Sequence, residues 1–334
     1  MAYLGWTLIE IPHMAWGSEL SRDYNDRSVI FSYKACFWYI GFVFFLALPL
    51  LPIFETREYT PEIFEITFYL LLIAFPLTVF IALRFCPQGE SITVEKRESL
   101  WSLIKGLPSN KPLLLFVLVF VLTGFGIGMQ TAVAFLHATS FLEIKEISLI
   151  YVFGFPFSII ALPVWLKIAN KIGKHYALAI GLVASAVCFL CLGFMKPGEN
   201  IFMFYFIVFA AIQFCQSSFV AIAPAMMGDI VDYGILKTGD DHSGTYFALY
   251  TFINKFFQGV GGGVGFALAA WYGFEPSNYV NSESVTFVMQ LIMGYIPATI
   301  FIIAAFLALK SPITKAYHKV ILQEIADKEL KAEL

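Results

Sequence analysis

An all-α membrane protein is predicted by three features of this chain. Hydrophobic residues make up 59% of it, charged residues only 13%, and the apolar residues gather into long runs divided by short polar connections. A soluble domain carries roughly 25% charged residues, so this chain has too few ions to cover a water-facing surface. Mean hydropathy of +0.77 points the same way. The formal charge of −3 leaves no basic stripe for nucleic acid. Four of the five cysteines, Cys36, Cys188, Cys191 and Cys215, fall inside apolar runs and read as small core residues, with no disulfide framework and no metal spacing. No basic n-region or small-residue cleavage site marks the first residues, so no signal peptide is expected.

A helix needs about 20 apolar residues to cross roughly 30 Å of hydrocarbon. Nine runs meet that length: 2–20, 29–54, 63–85, 112–136, 147–168, 176–195, 201–226, 244–272 and 285–309. The first places Trp6, Thr7, Glu10 and Met14 three and four apart, on one face. The third is followed by the longest connection, which has mixed charge and an amphipathic piece at 99–107, and reads as a linker. The fourth and eighth carry glycine clusters. Pairs four apart, Gly124 with Gly128 and Gly259 with Gly263, suit close helix crossing. The seventh runs into MMGDIVDYGILKTGDDHSG, a connection that holds Asp229 and Asp232. After Pro312 the tail keeps Ile313, Tyr317, Val320, Ile321 and Ile325 at helical spacing, which predicts an amphipathic docking helix. The expected organisation is a three-helix part at 1–85, a linker at 86–111, a six-helix bundle at 112–309 and a tail at 310–334.

Lysine and arginine set the orientation. Seventeen of them follow the first, third, fifth, seventh and ninth runs, whereas the alternate connections hold only Arg57, Lys145 and Lys196. The first set, which includes the tail, is therefore expected in the cytoplasm, with the chain integral to the cell membrane.

Two ionisable residues stand well away from the ends of their runs, Glu10 and Lys255. Lys255 lies about 12 residues into its run, roughly 18 Å along the axis, beyond the easy reach of a snorkelling stem. Such charges mark substrate or ion pathways by default, against the blander alternative of an ion pair that only fixes helix register. The carboxylate of Glu10 suits sugar hydroxyls, and the indole of Trp6 suits the apolar face of a sugar ring. Trp6 alone would read as an interfacial residue, and His13 and Trp16 as packing. Arg27 with Asp229 or Asp232 suits a gate of ion pairs made in one state and broken in another; the alternative is solvated loop charge worth at most about 1 kcal/mol per pair. His137, His175, His242 and His318 show no ligand spacing, and no nucleophile–base pair is present, so no enzyme is expected.

LIEIPHMAWGSELSRDYNDRSVIFSYK resembles the fourth-helix signature of the glycoside-pentoside-hexuronide:cation symporters. GDIVDYGILKTG with FINK is similar to the tenth-loop and eleventh-helix signature of the same family. The resemblance extends over the chain, including NKIGKH and the central linker. It implies a major facilitator fold of twelve helices in two bundles, and alternating-access symport of a sugar, glycoside, oligosaccharide or pentoside with sodium or a proton. It implies substrate contacts at Trp6, Glu10, Lys34, Tyr250 and Lys255, and cation contacts or coupling at Thr7, Glu10, Thr251 and Lys255. Arg27, Asp229 and Asp232 match a cytoplasmic gate network. Sodium near Thr7 is the one metal ion expected, and no organic cofactor is implied.

Two departures stand out. Lys34 replaces a usual arginine and cannot repeat a bidentate contact. The nine runs match helices 4 to 12 of the family's twelve, so the three preceding helices, with their carboxylates, have no counterpart. An incomplete carrier is expected, with a separate chain that supplies those helices as a partner it would need. A non-transporting regulatory or assembly partner, or an inactive fragment, is the alternative.

Overall fold

A computed structural model describes residues 2–54, 59–89, 100–276 and 282–333. Arg57, Lys96 and Arg97, three of the cations used above to orient the chain, lie outside the described residues. Every regular element among the described residues is helical. α1 (Ala2–Glu19), α2 (Tyr24–Ala47) and α3 (Pro61–Phe85) precede the short α4 (Leu100–Gly106). Then come α5 (Lys111–Leu136), α6 (Ile147–Gly154), α7 (Pro156–Ile172), α8 (Lys174–Gly193), α9 (Ile201–Thr238) and α10 (Ser243–Trp271). The chain closes with α11 (Glu283–Gln290), α12 (Ile296–Leu309) and α13 (Lys315–Glu333).

Seven of the helical stretches are long and apolar enough to cross a membrane. The two expected spans that fall outside this group are α1 and α10, the helices that carry Glu10 and Lys255. Polar residues and, in α10, six glycines dilute their hydropathy, so the nine-helix count rests on these two elements. Three further boundaries differ from expectation. α2 starts five residues early, because Asp23 accepts the amides of Asn25 and Asp26 at 2.7 and 3.1 Å and caps the helix. Partial burial opposes the charge on Asp23, yet these amides, with Lys315 and Lys174 nearby, hold its carboxyl below the ordinary carboxylate range. The fifth run breaks into α6 and α7 at Phe155, ahead of Pro156, which cannot donate to a preceding carbonyl. α9 does not end at Met226 but continues to Thr238, 38 residues in all and roughly 57 Å long. Asp229 and Asp232 are therefore buried helical residues rather than part of a connection, which removes the alternative of solvated loop charge.

α5 and α10 form the closest crossing. A Cβ on Gly128 would meet the backbone of Gln258, one on Gly261 would meet the carbonyl of Phe125, and one on Gly265 would lie 3.0 Å from the carbonyl of Met129. Gly259 and Gly263 face open space, so the contact in α10 runs through Gly261 and Gly265 instead of the expected pair. The spacing of four is kept; the face of the helix is not. α1 lies against α10, α2 against α9 and α7, and α13 against α9. α3 stands apart, with every side chain from Phe68 to Ile81 exposed. Only Cys215 of the cysteines is buried, while Cys191 and Cys86 are exposed, which corrects the core reading of Cys191.

The tail helix packs rather than floats. Ile321 and Ile325 are buried with Ile313, whereas Tyr317 and Val320 are exposed. Lys328 donates to the Leu236 carbonyl near the end of α9 at 2.8 Å.

Candidate functional site

Two charged clusters lie on the helices that join the first part of the chain to the rest. The first is built from α1 and α10. The Lys255 ammonium stands 2.9 Å from Glu10 Oε2 and donates to Thr7 Oγ1 at 3.0 Å. It also sits 3.9 Å above the Trp6 ring, a cation–π distance. Thr7 and Glu10 are three apart on α1, so one helix face supplies the hydroxyl and the carboxylate. Both charged side chains keep 19% of their exposure, and Trp6 keeps 47%. The indole face expected for a sugar ring is thus covered by the ammonium.

The neighbouring expected residues are placed as follows. Thr251, one turn before Lys255, is buried, and its hydroxyl has no hydrogen-bond partner among the described residues. Tyr250 is buried with its ring edge-on to Phe120 at 5.0 Å and to Phe116 at 5.5 Å, which wedges it between α10 and α5. Lys34, counted with the loop cations although it falls within the run 29–54, lies ten residues inside α2. Trp16 donates to the Pro87 carbonyl at 3.2 Å, tying the connection after α3 to α1. Glu19, at the end of α1, accepts from Ser243 at the start of α10 at 2.8 Å.

The second cluster surrounds α9. Arg27 Nη1 reaches Asp229 Oδ1 at 2.9 Å and Asp232 Oδ2 at 2.7 Å. Its remaining nitrogens donate to the carbonyls of Ser18 and Ser21 at 3.2–3.3 Å, which binds α2 to the end of α1. Gly228 makes this possible: a Cβ there would lie 2.6 Å from the Arg27 side chain. Lys174 Nζ meets Asp229 Oδ2 at 2.7 Å and lies 3.8 Å from the Tyr24 ring centre. Tyr24 Oη accepts the Lys174 amide at 2.8 Å. His318 of α13 meets Asp232 Oδ2 at 2.8 Å. All five charged or titratable side chains are 1–3% exposed.

Sequence reasoning named Arg27, Asp229 and Asp232 but missed Lys174 and His318. The histidine had no ligand spacing along the chain, yet it comes within metal-ligand range of both aspartates. Its only linear signal is its helical spacing from Ile321 and Ile325, the buried face of α13. The same carboxylates already hold Arg27 and Lys174, so an incoming cation would meet two positive charges. The arrangement is an ion-pair network rather than a metal centre.

These features, a charge pair within apolar helices and a dry network at one end of them, fit a carrier better than a catalyst. Comparison with known proteins agrees. The family model described as MFS/sugar transport protein matches residues 1–315. This chain belongs to that family. The family is one of transporters and not of enzymes. The uncharacterized symporter YjmB of Bacillus subtilis (strain 168) is 24% identical over 336 aligned positions, 97% of this chain and 71% of the relative. The sodium-dependent lysophosphatidylcholine symporter 1-A of Danio rerio is 25% identical over 232 positions, 68% of this chain and 42% of that relative. A multi-pass membrane transporter is the shared reading.

Proposed function

We propose that this chain is a cation-coupled symporter of the glycoside-pentoside-hexuronide type, carrying a sugar-like molecule by alternating access. The observation that carries this reading is the Glu10–Lys255 pair with Thr7 and Trp6 around it. A charge at membrane depth is costly, roughly 2.5–3.5 kcal/mol by insertion scales, and is retained where it works on a ligand. Glu10 accepts sugar hydroxyls, Trp6 covers the ring once the ammonium shifts, and Thr7 with Thr251 offers oxygens to sodium, or Glu10 takes the proton. Lys255 then exchanges partners as ligands arrive, which links the two binding events; coupling requires only that both ligands favour one conformer.

The Arg27 network acts as the cytoplasmic gate in this scheme, closed here, with the tail helix on the same side of the membrane. The loop cations support that orientation. Transport assays of membrane vesicles containing the chain test the reading. Glu10→Ala and Lys255→Ala are expected to abolish sugar-driven cation uptake and sugar counterflow at unchanged expression. Normal counterflow in either variant refutes the role given to the pair.

A further inference from the structure

The Arg27 network balances its charges without the tail. Asp229 and Asp232 face Arg27 and Lys174, two carboxylates against two cations, and Asp232 Oδ2 already holds the arginine. His318 of α13 nevertheless comes to that same oxygen at 2.8 Å, and its ring centre lies 5.8 Å from that of Tyr24 on α2. The tail thus touches both sides of the network. Its helix is seated on either side of the histidine: Ile313, Ile321 and Ile325 are buried, and Lys328 donates to the Leu236 carbonyl at 2.8 Å. Only the short segment 310–314 joins α13 to α12.

The tail supplies a cover instead of a charge. His318 is 1% exposed and fills the place beside Asp232 and Tyr24 that water would otherwise take. Access of water decides how firmly such a network holds. Ion pairs that water reaches contribute little, whereas a buried carboxylate stripped of its cation is left bare. A dry network resists parting, and a wetted one parts readily. The short tether keeps a lifted helix at high local concentration, so the cover returns quickly.

We propose that α13 is an autoinhibitory lid: seated on α9, it keeps the Arg27 network dry and the cytoplasmic side shut, and lifted, it lets water in so that α2 and α9 part. His318 is the positioning residue of this lid, since it reaches the network itself. The inference deepens the proposed transport reading and rests on it, because it takes the network to be the cytoplasmic gate.

The test is the rate at which N-ethylmaleimide alkylates a buried thiol in the purified full chain in lipid nanodiscs, followed peptide by peptide by mass spectrometry. Ser28→Cys places the reporter beside Arg27 on the buried face of α2. Ser185→Cys places a control at a buried position of α8, roughly 16 Å along that helix from Lys174. Ile321→Ala with Ile325→Ala, which empties the buried face of α13, is expected to speed alkylation of the Ser28→Cys thiol about tenfold or more. His318→Ala is expected to speed it about fivefold, and His318→Gln, which keeps an N–H at similar reach, to stay within about twofold of native. Raising salt from about 0.05 to 0.5 M is expected to quicken the two faster variants further and leave the native rate unchanged, because salt screens wetted ion pairs and not dry ones. An unchanged rate in the isoleucine variant, a gain that salt does not alter, or an equal gain at the Ser185→Cys thiol overturns the lid. Arg27→Lys, which cannot span both carboxylates and the backbone carbonyls, separates the two readings. Acceleration in Arg27→Lys but not in the isoleucine variant removes the lid and leaves the gate, whereas no acceleration in Arg27→Lys removes the gate and the lid with it.

Discussion

Arg27 and Lys255 are both cations of membrane helices that meet carboxylates from another helix, but they are held in opposite ways. Arg27 is 2% exposed and its guanidinium is spread over Asp229, Asp232 and two backbone carbonyls, with Lys174 on the other oxygen of Asp229 and His318 sharing Asp232 Oδ2 with the arginine. Lys255 has one carboxylate, one hydroxyl and an aromatic face, and its side chain keeps 19% of its exposure. The first arrangement uses nearly all of its bonding capacity within the protein; the second leaves room for an exchange of partners. A network that is dry and satisfied can hold two parts of a chain together, whereas a half-open pair can be opened by a ligand at modest cost.

The contrast is broken most forcefully at Arg27. Arg27→Gln leaves two buried carboxylates short of a cation and is expected to cost about 3–5 kcal/mol, seen as a large fall in the thermal midpoint of the purified protein in detergent. A midpoint within a degree of the native one would show that the network is not a structural clamp. Lys255→Met leaves Glu10 alone in a partly open site, with an expected loss of about 1–3 kcal/mol, smaller because water still reaches the carboxylate. The exchange Glu10→Lys with Lys255→Glu is expected to recover most of that loss without restoring transport. Recovery of both would make the pair a register device.

The crossing that carries Lys255 gives a third test. Gly261→Ala drives a methyl into the Phe125 carbonyl and is expected to cost about 1–3 kcal/mol, whereas Gly259→Ala stays within about 0.5 kcal/mol. Equal effects at the two positions would place the contact on the wrong face. The smallest effect is expected at His318. His318→Ala removes one bond to an aspartate that keeps Arg27, at about 1 kcal/mol, read as a small midpoint shift and faster proteolysis of the tail. A loss as large as that of Arg27→Gln would make the tail an equal partner in the clamp.

Much of this architecture is legible along the chain. The run lengths give the helices, the central positions of Glu10 and Lys255 single out a carboxylate and an ammonium that need each other, and Asp229 and Asp232 share a face because they are three apart. Lys174 and His318 were not legible as network members, since they stand 55 and 86 residues from the aspartates they touch and follow no period that links them. Lys34 was grouped with the loop cations although it falls within the run 29–54; the cap at Asp23 starts α2 at Tyr24 and sets this lysine ten residues into the helix, half-buried.

The sequence by itself determined which segments are helices, that they are apolar enough for a membrane, and that a lone lysine among glycines must find a carboxylate. Those properties follow from local chemistry: hydrogen bonding within a helix and the cost of a bare charge in hydrocarbon. The tertiary structure decided which face of α10 meets α5, which distant side chains close the network, and that the Lys34 nitrogen has no hydrogen-bond partner among the described residues. Each of these depends on how helices rotate against one another, a choice made by shape and close contact between segments far apart in the chain.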